Sequence, residues 1–374
     1  MRRTGLARYL MAIAVSLMVP AFASASPETP TAPQFEIDTA WPKSLPGQWV
    51  LGQVTGIAVD PQNRIWVLNR PASLSEDDSV TGAVAAPPLL VFDQQGTLVA
   101  HWPVGVRGET WPHREHSIAI DPGDGSVWIS GNGDDDGFIV KYAADGRFLL
   151  RIGSSGSSRG SNDIGQLGRA SGLVVDPESD ELFVADGYAN RRVIVFDTRT
   201  GAYKRHWGAF GRAPIDGPVS DRASQLLQPH GIALSRDGIV YVGDRPNNRI
   251  QAFSRYGRWL FDIAQRPETG GGTGGKSGSI GSVWDAALWP REDNEKLLVL
   301  DGSNSEVRIT DRNTNAVIGR FGRTGPYPGE FRWAHTIAVD ADGNVYVGEV
   351  SSGKRVQRFR PTHPAPSPEQ RQEP

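Results

Sequence analysis

The chain has 374 residues and a formal net charge of −3, which gives no electrostatic reason to expect nucleic acid or an anionic membrane as a partner. Glycine (44) and proline (27) are frequent, and short apolar runs alternate with turn residues without a long helical periodicity, so we expect an all-β fold. Because the chain has no cysteine, stability must come from its core and any bound metal rather than from disulfides.

The first 25 residues have the pattern of a secretory signal peptide. Three arginines precede an apolar run over residues 10–22, which is too short to span a bilayer comfortably, and small residues then offer a cleavage site. This pattern predicts an exported protein, periplasmic or extracellular, with no membrane span after cleavage. Residues 26–34 are rich in Pro, Ser and Thr and are expected to form a flexible linker. Residues 361–374 are similar but charged, which predicts a disordered tail.

Between residues 35 and 360 one phrase, of the type Gly-Ile-Ala-Val-Asp, recurs six times at intervals of roughly 50 to 60 residues. Histidine precedes every second copy. The six leading residues, called the ring residues below, are Thr55, His116, Ser171, His230, Trp284 and His335.

Each phrase is the predicted first strand of a four-stranded unit. The later strands are predicted in chain order at residues 65–68, 89–92 and 97–102; 127–130, 138–142 and 148–152; 182–185, 193–196 and 203–207; 240–243, 250–253 and 259–263; 297–300, 306–310 and 317–321; and 345–347 and 356–359. The last unit lacks an outer strand, which residues 35–40 are expected to supply. Six such blades around a channel make a six-bladed β-propeller, and this closure removes exposed sheet edges.

The first strand of a propeller blade lines the channel, and the antiparallel second strand returns to the same rim. Residues that follow second strands are therefore expected to surround the ring residues. They are Arg70, Asn132, Tyr188, Asp244 with Arg245, Ser303 and Glu349.

The alternating histidines predict a metal site. Blades 2, 4 and 6 place His116, His230 and His335 at one level of the channel, a third of a turn apart. Three converging imidazoles with an open fourth position are typical of catalytic zinc. Imidazole also suits Cu, Fe and Ni, so the ligands leave the metal's identity open. The alternative is that these histidines only cap strands.

The array, over about residues 50–360, resembles NHL-repeat propellers and, within them, peptidyl-α-hydroxyglycine α-amidating lyase. The matching phrases are Gly-Gln-Val-Thr-Gly-Ile-Ala-Val-Asp at 52–60, Asn-Arg at 69–70, Asp-Gly-Tyr-Ala-Asn at 186–190, Gln-Pro-His-Gly-Ile at 228–232, Asp-Arg at 244–245, Arg-Ile-Gln-Ala-Phe at 249–253 and Ala-His at 334–335. The resemblance implies that the three histidines bind Zn²⁺, that Tyr188 is a base and that Arg70 binds or polarises the substrate. Asp244 and Arg245 are further substrate-binding candidates.

This resemblance implies a carbon–nitrogen lyase. Its substrate would be a small molecule or peptide with a C-terminal hydroxyglycine-like group, split into an amide and glyoxylate. Zinc as a Lewis acid lowers the pKa of the substrate hydroxyl, and a tyrosine takes the proton when nearby cations stabilise its phenolate.

The sequence departs from the family at a structural Ca²⁺, which the family binds on the channel axis through a carboxylate immediately after the last histidine. This chain has Thr336 there, and Asp285 of the neighbouring blade is the alternative source of charge. The family's disulfides and its companion copper monooxygenase domain also have no counterpart here, which leaves the true substrate open.

Two other functions remain open at this point. One is a non-catalytic NHL scaffold that binds a protein or glycan on its rim. The other is a metal-dependent propeller hydrolase, which would require carboxylate and amide ligands at the ring. Thr55, Ser171 and the three histidines disfavour the hydrolase.

Overall fold

The computed structural model describes residues 32–75, 78, 82–102, 110–218, 221–269, 280–289 and 296–362. The expected signal peptide, most of the expected linker and residues 363–374 of the expected tail lie outside the described residues. Among the described residues, no helix has the length and apolar character needed to cross a membrane.

The described residues form six antiparallel four-stranded sheets, which confirms the predicted six-bladed propeller. Two strands precede the first blade: β1 (Phe35–Asp38) belongs to blade 6, and β2 (Trp49–Val50) pairs in parallel with the later β5 (Val84–Ala85). Blade 1 contains β3 (Gln53–Val59), β4 (Ile65–Arg70), β6 (Leu89–Phe92) and β7 (Leu98–Trp102). Blade 2 contains β8 (Glu115–Ile120), β9 (Val127–Gly131), β10 (Phe138–Tyr142) and β11 (Phe148–Gly153).

The other four blades follow in chain order. Blade 3 contains β12 (Gly172–Asp176), β13 (Glu181–Asp186), β14 (Arg192–Asp197) and β15 (Tyr203–Trp207). Blade 4 contains β16 (Pro229–Leu234), β17 (Ile239–Asp244), β18 (Arg249–Ser254) and β19 (Trp259–Ala264). Blade 5 contains β20 (Asp285–Leu288), β21 (Lys296–Asp301), β22 (Glu306–Asp311) and β23 (Val317–Phe321). Blade 6 contains β24 (Ala334–Val339), β25 (Val345–Glu349) and β26 (Val356–Pro361), completed by β1.

Short 3₁₀ turns connect some of these strands. They lie at Pro46–Gln48, Pro71–Ser73, Ala209–Gly211, Arg222–Ser224, Arg245–Asn247 and Pro267–Thr269.

The N-terminal strand closes the ring, as expected from the sequence. β1 pairs antiparallel with β26, so that Phe35 lies opposite Pro361 and Asp38 opposite Arg358. The guanidinium of Arg358 donates to the carboxylate of Asp38. The other carboxylate oxygen of Asp38 accepts the Ala40 backbone N–H, which turns the chain and ends the strand.

The core consists of six apolar clusters, and each lies between two neighbouring blades. One joins blade 1 to blade 2 through Trp66 and Ile118, and another joins blade 6 to blade 1 through Tyr346 and Val54. Every blade is therefore covered on both faces. This burial explains why the second strands are continuous apolar runs rather than alternating ones.

The aspartate that ends the repeat phrase fixes the turn between the first two strands. In blade 1, Asp60 accepts the backbone N–H groups of Gln62 and Arg64 at 3.0 and 2.9 Å, and the indole N–H of Trp66 at 2.8 Å. In blade 6, Asp340 accepts the Asn344 backbone N–H and the Tyr346 hydroxyl, each at 2.9 Å. The repeated Asp thus has a structural role at the rim away from the histidines.

Candidate metal centre

The three histidines enter the channel at β-bulges. The pairing register shifts between Glu115 and Ser117 in β8, between Pro229 and Ile232 in β16, and between Ala334 and Thr336 in β24. A bulge residue lacks a partner on the neighbouring strand, and its side chain is re-aimed. Each bulge here directs one imidazole to the axis.

The bulge in blade 4 needs the glycine that follows its histidine. A Cβ on Gly231 would lie 2.4 Å from the Cα of Asp285 in blade 5, far inside any normal contact. Gly231 therefore lets neighbouring first strands approach closely at the level of the ring.

The three imidazoles form a compact triangle. Their ring centroids are 4.8 Å apart for His116 and His335, 5.1 Å for His116 and His230, and 5.2 Å for His230 and His335. One nitrogen from each lies within 4.8 Å of the other two, and all three side chains are buried. Convergence of buried nitrogens without hydrogen bonds between them is the arrangement expected of metal ligands.

Backbone carbonyls of the next blades orient two of the rings. The Nδ1 of His230 lies 2.5 Å from the carbonyl oxygen of Trp284, and the Nδ1 of His335 lies 3.1 Å from that of Thr55. A carbonyl only accepts, so each Nδ1 carries the proton and each Nε2 offers its lone pair. The Nδ1 of His116 is buried without a hydrogen-bond partner among the described residues.

Burial keeps all three histidines neutral. It lowers the pKa of His116 and His230 well below the usual value, and that of His335 to about 3. Nearby cations, foremost Arg70 for His335 and Arg245 for His230, lower these pKa values further. Neutral imidazole is the form that binds metal. The donor set therefore fits a divalent transition metal with three protein ligands.

Tyr188 completes the cluster from blade 3. Its hydroxyl lies 2.9 Å from the Nε2 of His116 and 3.2 Å from the Nε2 of His230. Gly187 permits this approach, since a Cβ there would lie 1.9 Å from the carbonyl oxygen of Pro229. The loop starts at Asp186, whose carboxylate pairs with Arg192 at 2.9 Å, and both side chains are fully buried.

Arg70 lies beside the cluster with only neutral partners. It donates to the Glu115 carbonyl oxygen at 2.6 Å, to the Gln53 amide oxygen at 3.1 Å and to the Asn132 amide oxygen at 3.0 Å. Burial, followed by repulsion from Arg114, lowers the pKa of Arg70 to about 10, so it stays cationic at neutral pH. The carboxylates of Glu115 and Asp136 act on Arg70 only at longer range, and a buried cation that hydrogen-bonds no described carboxylate favours an anionic ligand.

Asp244 and Arg245 are adjacent in sequence but have different surroundings. Asp244 is fully buried and pairs with Arg249 at 3.0 Å, while it accepts the Leu227 backbone N–H at 2.9 Å. Arg245 interacts with Tyr188 and donates to the Gln228 amide oxygen at 3.1 Å. Asp244 thus stabilises the turn from which Arg245 reaches the cluster.

The remaining second-strand ends have structural contacts. Asn132 accepts from Arg114 at 2.9 Å as well as from Arg70. Ser303 donates to the Gly281 carbonyl oxygen at 2.6 Å, and Glu349 pairs with Arg355 at 2.7 Å. Sequence reasoning missed Arg114 and the carbonyl of Trp284. Arg114 had a signal, since it lies two positions before a ring histidine.

The channel beyond the ring fits calcium poorly. Asp285 is the one carboxylate among the described residues that line it. Its oxygens already accept the Ala286 N–H at 2.9 Å and the Ile337 N–H at 3.0 Å, and it also interacts with Thr336. Calcium takes about six to eight oxygen ligands. Burial raises the pKa of Asp285 to about 7, and this one carboxylate would need further oxygen ligands to complete a calcium site.

Comparisons with known proteins agree with this architecture. The NHL repeat family model matches residues 226–253. The structure of a streptogramin B lyase has a TM-score of 0.51 and 14% identity to this chain, covering 87% of it and 97% of the lyase chain. At that identity the likeness concerns the fold.

Two relatives match most of the chain. Peptidyl-glycine alpha-amidating monooxygenase B of Xenopus laevis is 26% identical over 87% of this chain and 36% of its own length. Peptidyl-alpha-hydroxyglycine alpha-amidating lyase 1 of Drosophila melanogaster is 24% identical over 86% of this chain and 58% of its own. This chain spans about a third of the length of the first relatives it matches. The chain is therefore a six-bladed propeller that matches the NHL repeat model at residues 226–253 and resembles amidating lyases at modest identity.

Proposed function

We propose that this protein is an exported, zinc-dependent lyase that cleaves the C–N bond of an N-acyl or peptidyl α-hydroxyglycine. The observation that carries the proposal is the convergence of His116, His230 and His335 with the Tyr188 hydroxyl 2.9 Å from one of them. The amidating-lyase relative supports the reaction class. The arginine-led apolar N-terminus supports export.

The reaction moves one proton and breaks one bond. The substrate R–CO–NH–CH(OH)–COO⁻ loses its hydroxyl proton, the C–N bond breaks, and the proton reaches nitrogen, giving R–CO–NH₂ and glyoxylate. A zinc ion held by the three imidazoles would supply Lewis acidity to the substrate hydroxyl. Tyr188 takes the hydroxyl proton and returns it to the departing nitrogen, which its position between two ring histidines allows.

Arginines bind and orient the substrate in this proposal. Arg70 offers a buried guanidinium whose described hydrogen bonds all go to neutral oxygens, so it can bind the substrate carboxylate. Arg245 and Arg70 both interact electrostatically with Tyr188 and place positive charge near its hydroxyl. The carboxylate and the proton acceptor are thereby held on the same side of the ring.

The test combines metal content with turnover. Purified protein should contain about one zinc per chain and release glyoxylate from N-benzoyl-α-hydroxyglycine. Tyr188→Phe should keep the metal and lower kcat by about 10²- to 10⁴-fold, because it removes the proton acceptor. Tyr203→Phe is the matched control, since that exposed tyrosine of the same blade bonds only His206 among its described partners.

Two results would contradict the proposal. If the protein binds metal but releases no glyoxylate, the metal site stands and the proposed lyase reaction is rejected. Full activity in Tyr188→Phe would remove the proton-transfer role of Tyr188 and leave the lyase reaction to another group.

A further inference from the structure

The entrance to the channel is chemically asymmetric. In each blade, the residue two positions before the ring residue lies where the chain enters the innermost strand. Five of these six residues are polar or cationic, and the one in blade 6 is aromatic. The six are Gln53, Arg114, Arg169, Gln228, Ser282 and Trp333.

Trp333 extends an aromatic surface from the metal centre to solvent. Its indole is 43% exposed and lies 6.1 Å, centroid to centroid, from the buried indole of Trp284. Trp284 in turn lies 5.8 Å from His335 and 6.1 Å from His230. The indoles of Trp284 and Trp333 thus continue the run of rings from the histidines to solvent, and the Arg245 guanidinium lies 4.6 Å from the Trp284 ring centroid.

The backbone holds Trp333 in an unusual conformation. Its φ is +60°, in the left-handed region that bulky side chains rarely adopt. The residues on either side hold this backbone conformation in place. Phe331 is fully buried, and the Arg332 backbone N–H donates to the Glu349 carboxylate at 2.6 Å. The Trp333 carbonyl oxygen accepts the Val350 backbone N–H at 3.0 Å. Such strain persists where the surroundings over-determine it, and it concentrates at ligand-binding positions.

The entrance has a cationic part beside its aromatic part. Blades 1 and 2 contribute Arg70 and Arg114, which share the Asn132 amide oxygen as acceptor. Blades 5 and 6 contribute Trp284 and Trp333. A ligand with a carboxylate at one end and an apolar group at the other would match both parts at once.

We propose that Trp333, supported by Trp284, is a specificity-determining subsite for the acyl part of the substrate, and that it selects aromatic acyl groups. This inference rests on the proposed lyase function, because that function binds the carboxylate at Arg70 and leaves the acyl group to contact another part of the entrance. The substrate class is then N-aroyl or arylacyl α-hydroxyglycines, including peptides with an aromatic residue before the hydroxyglycine.

The test compares two substrates that differ in the acyl group. For wild type, N-benzoyl-α-hydroxyglycine should have a KM about tenfold below that of N-acetyl-α-hydroxyglycine. Trp333→Gly removes the indole and accepts the left-handed backbone, so the fold is kept. It should raise KM for the benzoyl substrate about tenfold while the acetyl KM changes less than about twofold and kcat stays similar.

Two control variants distinguish the effect of the Trp333 indole from a general effect of changing its loop. Trp333→Phe keeps an aromatic surface and should retain most of the discrimination. Tyr327→Ala removes another aromatic ring of the same loop, 70% exposed, and should leave both KM values unchanged. A wild-type KM ratio near one, or equal losses for both substrates in Trp333→Gly, would overturn the subsite.

A binding measurement keeps this inference distinct from the lyase reaction. Hippurate and N-acetylglycine lack the hydroxyl and cannot react, so calorimetry reports affinity alone. If wild type releases no glyoxylate, weaker hippurate binding by Trp333→Gly still supports the aromatic subsite. Equal hippurate binding by both proteins rejects it, whatever the turnover.

Discussion

Even-numbered and odd-numbered blades share one fold but contribute different atoms to the centre. Blades 2, 4 and 6 supply the ring histidines from their first strands. Blades 1 and 5 supply the carbonyls of Thr55 and Trp284, which orient the histidines of the preceding blades. Odd blades also supply Arg70 and Tyr188 from the ends of their second strands.

The contrast shows how a repeat produces an asymmetric site. A ring of six equivalent positions places side chains at one level, and alternation spaces the ligands evenly. Two of the three even-blade histidines, His230 and His335, are supported by a carbonyl of the next blade, so odd ring positions contribute to the centre without supplying a ligand. Trp284 leads the least regular copy of the repeat phrase. Its carbonyl oxygen orients His230, and its indole lies beside Trp333 at the entrance.

The largest expected effect follows from removing an even ring residue. His230→Ala should lose the bound metal and lower kcat/KM on the order of 10³-fold or more, because two imidazoles cannot complete the site. Ser171→Ala, at the equivalent position of an odd blade, should keep both. Metal analysis and glyoxylate release of the two variants, compared with wild type, measure these effects. If Ser171→Ala also lost the metal, the division between even and odd blades would be wrong.

An intermediate effect is expected for the frame that positions Tyr188. Asp186→Asn should lower the free energy of unfolding by about 3 kcal/mol, because it leaves the buried Arg192 guanidinium without its carboxylate. Denaturant unfolding measures the change. Asp197→Asn, in an outer turn of the same blade, should cost less than about 1 kcal/mol. An Asp186→Asn variant as stable as wild type would show that this pair does not hold the odd-blade loop.

The smallest effect on stability is expected at the ring closure between β1 and β26, which does not depend on whether a blade is even-numbered or odd-numbered. Burial raises the pKa of Asp38, but its hydrogen bonds to Arg358 and the Ala40 N–H outweigh this and lower the pKa overall. The carboxylate therefore contributes stability above the ordinary Asp pKa of about 4, and this is lost as pH falls through the lowered value. Asp38→Asn should lower stability by about 1 kcal/mol at pH 7 and by less near pH 3. A pH-independent difference would contradict the ion-pair account.

Repetition and strand direction made much of this structure predictable. The recurring phrase located the ring and the histidines, and the return of second strands to the same rim predicted that Arg70 and Tyr188 would lie near them. The bulges were not predictable, because register depends on how strands pair rather than on residue type. The Trp284 and Thr55 supports were missed since a backbone carbonyl leaves no mark in the sequence. Asp244 and Arg245 match the family phrase equally well in sequence and are both buried, so only their partners in the structure distinguish them.

The strand that completes blade 6 is synthesised first and finds its partner last. Asp38 and Arg358 are 320 residues apart, so β1 has no partner strand until β26 has been synthesised. Until then the blades form an open array with unpaired edges, and closing so long a loop is entropically costly and slow. Ring closure is therefore a late step of folding, because β1 cannot pair before β26 is present.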